Sequence, residues 1–350
     1  MTFKNSGRMD YVDFAKGIAI ILITLFHLHS HYLLPVRFTF SIFDLGIIFD
    51  RGRIGIYLFI FLSGYLFAMS SKKRTTGITY SHYLLQRFAR IAPAYYVAIL
   101  VWNILSPHLY SLNHNLTHIF FIHTFHYKTF FSITPTFWFI AVQIHLYVLA
   151  PAMMNIYNKN NWLTVILAFF IATSTNTLLI KWVPKEIAFY VTQSVLTYMF
   201  PFVLGFLLYE KKESILLVMD NRIISVMFFV LTVFLILLPT SYILLINKGD
   251  LYFVILGFML SVYIVSFSKE SINYRLFPLR QIAFVGRCSY SIFLYNYIFK
   301  IHSPILNNLP GYIFYFFMVI AFGIGMHFAI ERPLTTISTN LLNKHIRVAV

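Results

Sequence analysis

A lysine and a histidine interrupt one apolar run, Asp13-Phe-Ala-Lys16-Gly-Ile-Ala-Ile-Ile-Leu-Ile-Thr24-Leu-Phe-His27. Ionisable groups at membrane depth are costly and mark function by default. Eleven residues are close to three helical turns, so Lys16 and His27 share a helix face, about 16 Å apart along the axis. Asp13, Thr24 and His31 fall on or near the same stripe. An imidazole there could take a proton from an acceptor hydroxyl, because its pKa lies near working pH. Lys16, towards the helix start, could meet an anionic donor or pair with Asp13 one turn away. A structural reading stays open beside this one, with Lys16 snorkelling to the surface and His27 bonded to a neighbouring helix. The His27, His29, His31 run invites a metal. Only His27 and His31 share a face, however, and no carboxylate stands at ligand spacing, which argues against a metal site.

A second constellation is Gln86-Arg87-Phe-Ala-Arg90-Ile-Ala-Pro93-Ala-Tyr-Tyr96. At i and i+3, Arg87 and Arg90 point the same way, and two guanidinium forks could clamp the phosphates of a nucleotide-bearing donor. Ordinary interfacial anchoring accounts for the same pair. Ser63-Gly64 in Phe-Leu-Ser-Gly-Tyr65 reads as close helix packing, since no base or nucleophile elbow accompanies the serine. In Phe137-Trp138-Phe-Ile-Ala-Val-Gln143-Ile-His145, Trp138 suits an interfacial anchor, and Gln143 and His145 suit helix–helix hydrogen bonds. Ser289-Tyr290-Ser-Ile-Phe-Leu-Tyr-Asn296 and Glu331-Arg332-Pro333 complete the set.

These residues need a membrane scaffold. Of 350 residues 59% are hydrophobic and 11% charged, with mean hydropathy +0.76, which excludes an ordinary soluble domain. The net charge of +16 could suggest nucleic acid, but the basic residues lie between apolar segments, as topology signals do. No nucleic-acid partner is expected. Hydropathy predicts an all-α integral membrane protein of about ten transmembrane helices, near 14–34, 53–71, 88–106, 136–157, 161–180, 187–209, 222–246, 250–268, 283–303 and 311–330. The first is a retained helix and not a cleaved signal. Counted by alternate loops, 19 of the 27 Lys and Arg residues fall on the N-terminal side, which places both termini in the cytoplasm. Residues 1–350 then form a single membrane-embedded domain with no appended soluble domain. The stretch 107–135 is an extracytoplasmic loop rich in His and aromatics, with room for an interfacial helix. The lone Cys288 rules out an internal disulfide and reads as a small apolar residue.

Taken in order, these segments resemble the integral-membrane acyltransferase family 3, whose members O-acylate surface glycans. The resemblance rests on a basic residue, ten residues and a histidine in the first helix (Lys16 and His27, with Asp13 before them) and on Arg87-x-x-Arg90. Phe-Leu-Ser-Gly-Tyr, Trp138, the segment ending at Asn296 and Glu331-Arg-Pro follow in family order. Lys16 replaces a common arginine, Gln143 a common glutamate and Asn296 a common histidine, which places the chain in a divergent branch. The resemblance implies an O-acetyltransferase in a bacterial inner membrane. Acetyl-CoA or another acyl-CoA is the donor, no metal is needed, and the acceptor is a hydroxyl of a surface or lipid-linked glycan such as O-antigen, exopolysaccharide or capsule. It implies His27, Lys16 and Asp13 in catalysis, and Arg87, Arg90 and Lys16 at the donor. Trp138, Gln143, Tyr290, Asn296 and Glu331 would support substrate or structure.

Two other readings share the helices and the buried polar groups. A transporter or flippase for glycan or lipid intermediates would more naturally show repeat halves or paired broken helices, and no internal repeat is visible. An accessory subunit would leave Lys16, His27, Arg87 and Arg90 freely replaceable. Within the enzyme class, succinyl or longer acyl groups remain alternatives to acetyl. Membrane lipid is a partner in every case, and the oligomeric state is unknown from sequence.

Overall fold

A computed structural model describes residues 9–32, 39–40, 43–44, 49–72, 80–106, 110–238, 250–266, 268, 276–299 and 309–349. The side chains of His29 and His31, residues 107–109 and the expected span ends at 239–246 and 300–303 lie outside the described residues. The regular secondary structure of the described residues is helical apart from a two-residue strand pair, Thr39–Phe40 with Phe43–Asp44.

The longer helices are α1 (Asp10–Tyr32), α2 (Ile54–Lys72), α3 (Tyr80–Leu105), α4 (Leu112–Ile119), α5 (Phe137–Lys159), α6 (Asn161–Ser174), α7 (Lys185–Thr192) and α8 (Val195–Glu210). They continue as α9 (Lys212–Asp220), α10 (Arg222–Leu237), α11 (Asp250–Ser266), α12 (Leu279–Arg287), α13 (Ser289–Leu294), α14 (Leu309–Met326) and α15 (Arg332–Ala349). Seven described helical stretches are long and apolar enough to cross a membrane, or eight if α9 and α10, bent by 101°, make one span. Hydropathy predicted ten. Two segments account for part of the difference: α11 is too short to qualify, and the segment from 283 is divided between α12 and α13 at Cys288.

Two boundaries move in ways that matter. The third span begins at Tyr80, so Arg87 and Arg90 sit inside a helix and not at a loop edge. The last span runs from Pro310 to Leu342, 33 residues or about 50 Å, well beyond a hydrocarbon core of about 30 Å. Its excess is the amphipathic α15, joined to α14 by a π-helical turn, His327–Glu331.

The chain forms two compact units. The first comprises Met1–Leu62, Leu208–Tyr290 and Ile301–Ile320. Its core joins Ala15 and Ala19 of α1 to Leu58 and Leu62 of α2 and Ile264 of α11. Small residues let these backbones close up where lipid offers no hydrophobic drive between helices. The second comprises Ser63–Leu207, Ser291–Lys300 and Ala321–Val350. Aromatic side chains fill its centre: Phe67 meets Tyr83 edge-on at 5.0 Å and lies 5.7 Å from Phe206. Gly64 faces the Phe202 carbonyl so closely that a Cβ there would collide with it, which is the packing role expected of Ser63-Gly64.

Candidate active site

Four glycine contacts fix α1 in the first unit. A Cβ on Gly17 would strike the Ile282 carbonyl of α12, and one on Gly286 would strike the Asp13 carbonyl. On another side of α1, Gly52 and Gly55 are equally tight against the carbonyls of Leu22 and Ala19. The helix carrying Asp13, Lys16 and His27 is therefore held by backbone-to-backbone contact on both flanks of the polar stripe.

Along that stripe Asp13, Thr24 and His27 are buried and Lys16 is half-buried. Thr24 Oγ1 donates to the Ile20 carbonyl at 2.8 Å, so its hydroxyl serves its own helix. Tyr290, half-buried, also belongs to this unit. Sequence reasoning passed over Arg51. It is buried, donates from Nη2 to the Leu238 carbonyl at 2.9 Å and stands over the Tyr252 ring at 5.5 Å. It anchors the turn on which Gly52 meets α1.

In the second unit the two arginines part company. Arg87 is half-buried, its guanidinium 5.4 Å from the Tyr83 ring and 5.1 Å from the Tyr147 ring. Arg90 is exposed. Residues three apart on a helix differ by about 60° around the axis, enough to turn Arg87 into the α3–α5 contact and Arg90 out of it. A cation held between two aromatic faces keeps its N–H edges for an anion. Tyr83 precedes Arg87 by four residues and was legible as a neighbour. Tyr147, on another helix, was not. Close by, α15 packs on α3, with Ser338 Oγ donating to the Ala89 carbonyl at 2.6 Å.

Four motifs noted separately in the sequence meet in pairs here. Ser63 Oγ donates to Gln143 Oε1 at 3.3 Å, joining the Ser-Gly segment to α5. Gln143 is buried, and its Nε2 has no hydrogen-bond partner among the described residues. Trp138, buried, stacks on Phe130 at 5.9 Å and lies 5.8 Å from Tyr198. Glu331 Oε2 accepts from Ser291 Oγ at 2.7 Å and from Ser291 N–H at 3.2 Å, and lies 2.9 Å from His327 Nδ1. One carboxylate thus ties the Ser-Tyr-Ser segment to the π-helical turn. Asn296, buried, lies a few residues beyond that tie. Among the described residues no group of three His, Cys, Asp or Glu could hold a metal ion.

The segment between α3 and α5 holds a cluster that sequence reading saw only as histidine-rich. His118 and His123 are fully buried and stacked, with centroids 3.7 Å apart and planes 13° apart. Burial first, and each other's proximity for His118, push their pKa values down to about 2 for His118 and about 3 for His123. Both rings are therefore neutral at ordinary pH.

A polytopic membrane protein with buried ionisable groups on one clamped helix and a cradled arginine on another is the class these features define. The integral-membrane acyltransferase family 3, described as an acyltransferase domain, matches residues 9–328. The chain belongs to that family, and it is a multi-pass membrane acyltransferase. Neither curated proteins nor solved structures gave a match.

Proposed function

We propose that the protein is an O-acyltransferase moving an acyl group, acetyl first among candidates, from cytoplasmic acyl-CoA to a hydroxyl of a surface or lipid-linked glycan. In this reading ten spans place both termini in the cytoplasm of a bacterial inner membrane. The observation that carries it is His27, a buried imidazole on a helix clamped by glycine contacts in a chain of this family. Clamping matters because a general base works only when held within hydrogen-bond reach of the proton it takes.

His27 takes the proton of the acceptor hydroxyl as its oxygen attacks the thioester carbonyl carbon. The carbon–sulfur bond breaks, and the proton passes to the departing thiolate to give free CoA. Lys16 and Asp13, nearer the helix start, orient the donor end of the same stripe. Arg87 offers its guanidinium edge to the donor phosphates, with the exposed Arg90 as a second cation. Gln143 and Trp138 support the acceptor side. Tyr290 supports the helices of the first unit, and Asn296 and Glu331 those of the second.

The test is a His27→Ala variant that still reaches the membrane, expressed in a producer whose surface glycan carries alkali-labile esters. Loss of those esters supports the reading. Their persistence removes His27 from the reaction, and loss of the whole polymer points to transport instead.

A further inference from the structure

The segment from α4 to the start of α5 is closed by a buried polar lock. Ser132 Oγ donates to the Thr129 carbonyl at 2.7 Å, so it can only accept from His118 Nε2, 2.9 Å away. His118 Nδ1 is then a lone pair, and it accepts from the Tyr95 hydroxyl of α3 at 2.9 Å. The chain of bonds runs one way, and it requires a neutral His118. His123 lies flat against that ring, and neither nitrogen reaches full hydrogen-bond geometry with a described residue, although the backbone of Thr117 and Phe137 is near enough to favour a proton on it. An unsatisfied buried imidazole demands an explanation.

The backbone around the pair is strained as well. Phe121 has φ 58° and Ile133 has φ 65°, left-handed conformations that a bulky or β-branched residue adopts only when packing forces it. Tyr96 donates to the Ile119 carbonyl at 3.0 Å and Tyr110 to the Ile133 carbonyl at 3.0 Å. The amides of Asn103 and Asn115 exchange bonds of 2.7 and 3.1 Å, pinning α4 to α3. Beyond that pin, Phe130 covers Trp138.

We propose that residues 120–134 form an acid-released lid over the start of α5, locked while the stacked His118 and His123 are neutral and freed when they take up protons. A proton on His118 would abolish acceptance from Tyr95, and a proton on either ring would face the other imidazole across the stack with no carboxylate partner among the described residues. The titratable and charged groups around the pair are Tyr95 and Tyr96 on α3, His114 on α4, His126, Tyr127 and Lys128 in the lid, and His145 on α5. Lys185, Glu186 and Tyr190 stand on α7, which packs against residues 127–130. Tyr190 meets Phe130 edge-on at 5.0 Å. The sign follows from the depressed values. Only the open lid binds protons between the ordinary histidine pKa of about 6.5 and the locked values, so closure is full above that range and is lost as pH falls. This lid stands independently of the acyl-transfer reading.

Hydrogen exchange of the full-length protein in lipid nanodiscs, corrected for intrinsic rates from pH 7.5 to 4.5, tests it. Two protons taken up on opening make the open fraction of residues 120–134 grow by up to about a hundredfold per pH unit below 6.5. His123→Phe preserves the stack and removes one proton site, so its growth falls below the wild-type growth by up to about tenfold per unit, with α5 protection unchanged. Wild-type protection that does not vary with pH overturns the lid, as does an unaltered slope in a folded His123→Phe protein. The wild-type measurement decides the matter if that variant fails to fold.

Discussion

His27, Arg87 and Arg90 all stand out in the sequence, yet their surroundings differ. His27 is buried on a clamped helix and is the group proposed to receive the acceptor proton. Arg87 is cradled by Tyr83 and Tyr147, and Arg90 is exposed. If Arg87 meets the donor phosphates as proposed, Arg87→Ala is expected to raise the KM for acyl-CoA about tenfold or more, with a smaller change in kcat. Arg90→Ala should shift the same constant less. Initial rates against acyl-CoA concentration check both, and equal effects of the two variants would contradict the cradle. The sequence carried the identity of these residues through their spacing. It could not separate their roles, because Tyr147 reaches Arg87 from a helix sixty positions away.

Contacts without a local signature govern the elements. Gly286 fits α12 against the Asp13 carbonyl, and Gly17 meets the Ile282 carbonyl in the same crossing. Gly286→Ala must push α12 from α1, since the atom it meets is backbone. The expected result is a cost of about 1–3 kcal/mol, the usual range for overpacking, read as a lower midpoint of thermal unfolding in detergent, and lost activity with it. Glu331→Gln keeps size but weakens the bonds from Ser291 and from the imidazole of His327. About 1–3 kcal/mol is expected from that change too, with the destabilisation localised by hydrogen exchange to residues 289–294 and 327–331. Apolar runs made most helices legible. The tie between Ser291 and Glu331 was not, because it joins residues forty positions apart, and the π-helical turn that presents His327 beside Glu331 has no hydropathy signature. The early start of α3 at Tyr80 was missed because its first turns are polar and aromatic, below any hydropathy threshold.

For the whole molecule, the order of apolar segments gave the membrane class and the family resemblance, and the match over residues 9–328 agrees with it. The division into two compact units had no counterpart in the sequence reading, since each unit gathers segments from distant parts of the chain. The basic-residue asymmetry predicts that His126 faces outward and α15 inward. In a Cys288→Ala background, a cysteine placed at 126 should react with an impermeant maleimide on intact cells, and one placed at 340 only after permeabilisation. The reverse pattern would invert the topology. Transfer from acyl-CoA to a hydroxyl through His27 can be followed in proteoliposomes given acyl-labelled acyl-CoA and a glycan acceptor. Wild-type protein should leave an alkali-labile labelled ester on the acceptor, reduced at least about a hundredfold in His27→Ala. Equal labelling by the two proteins would contradict it.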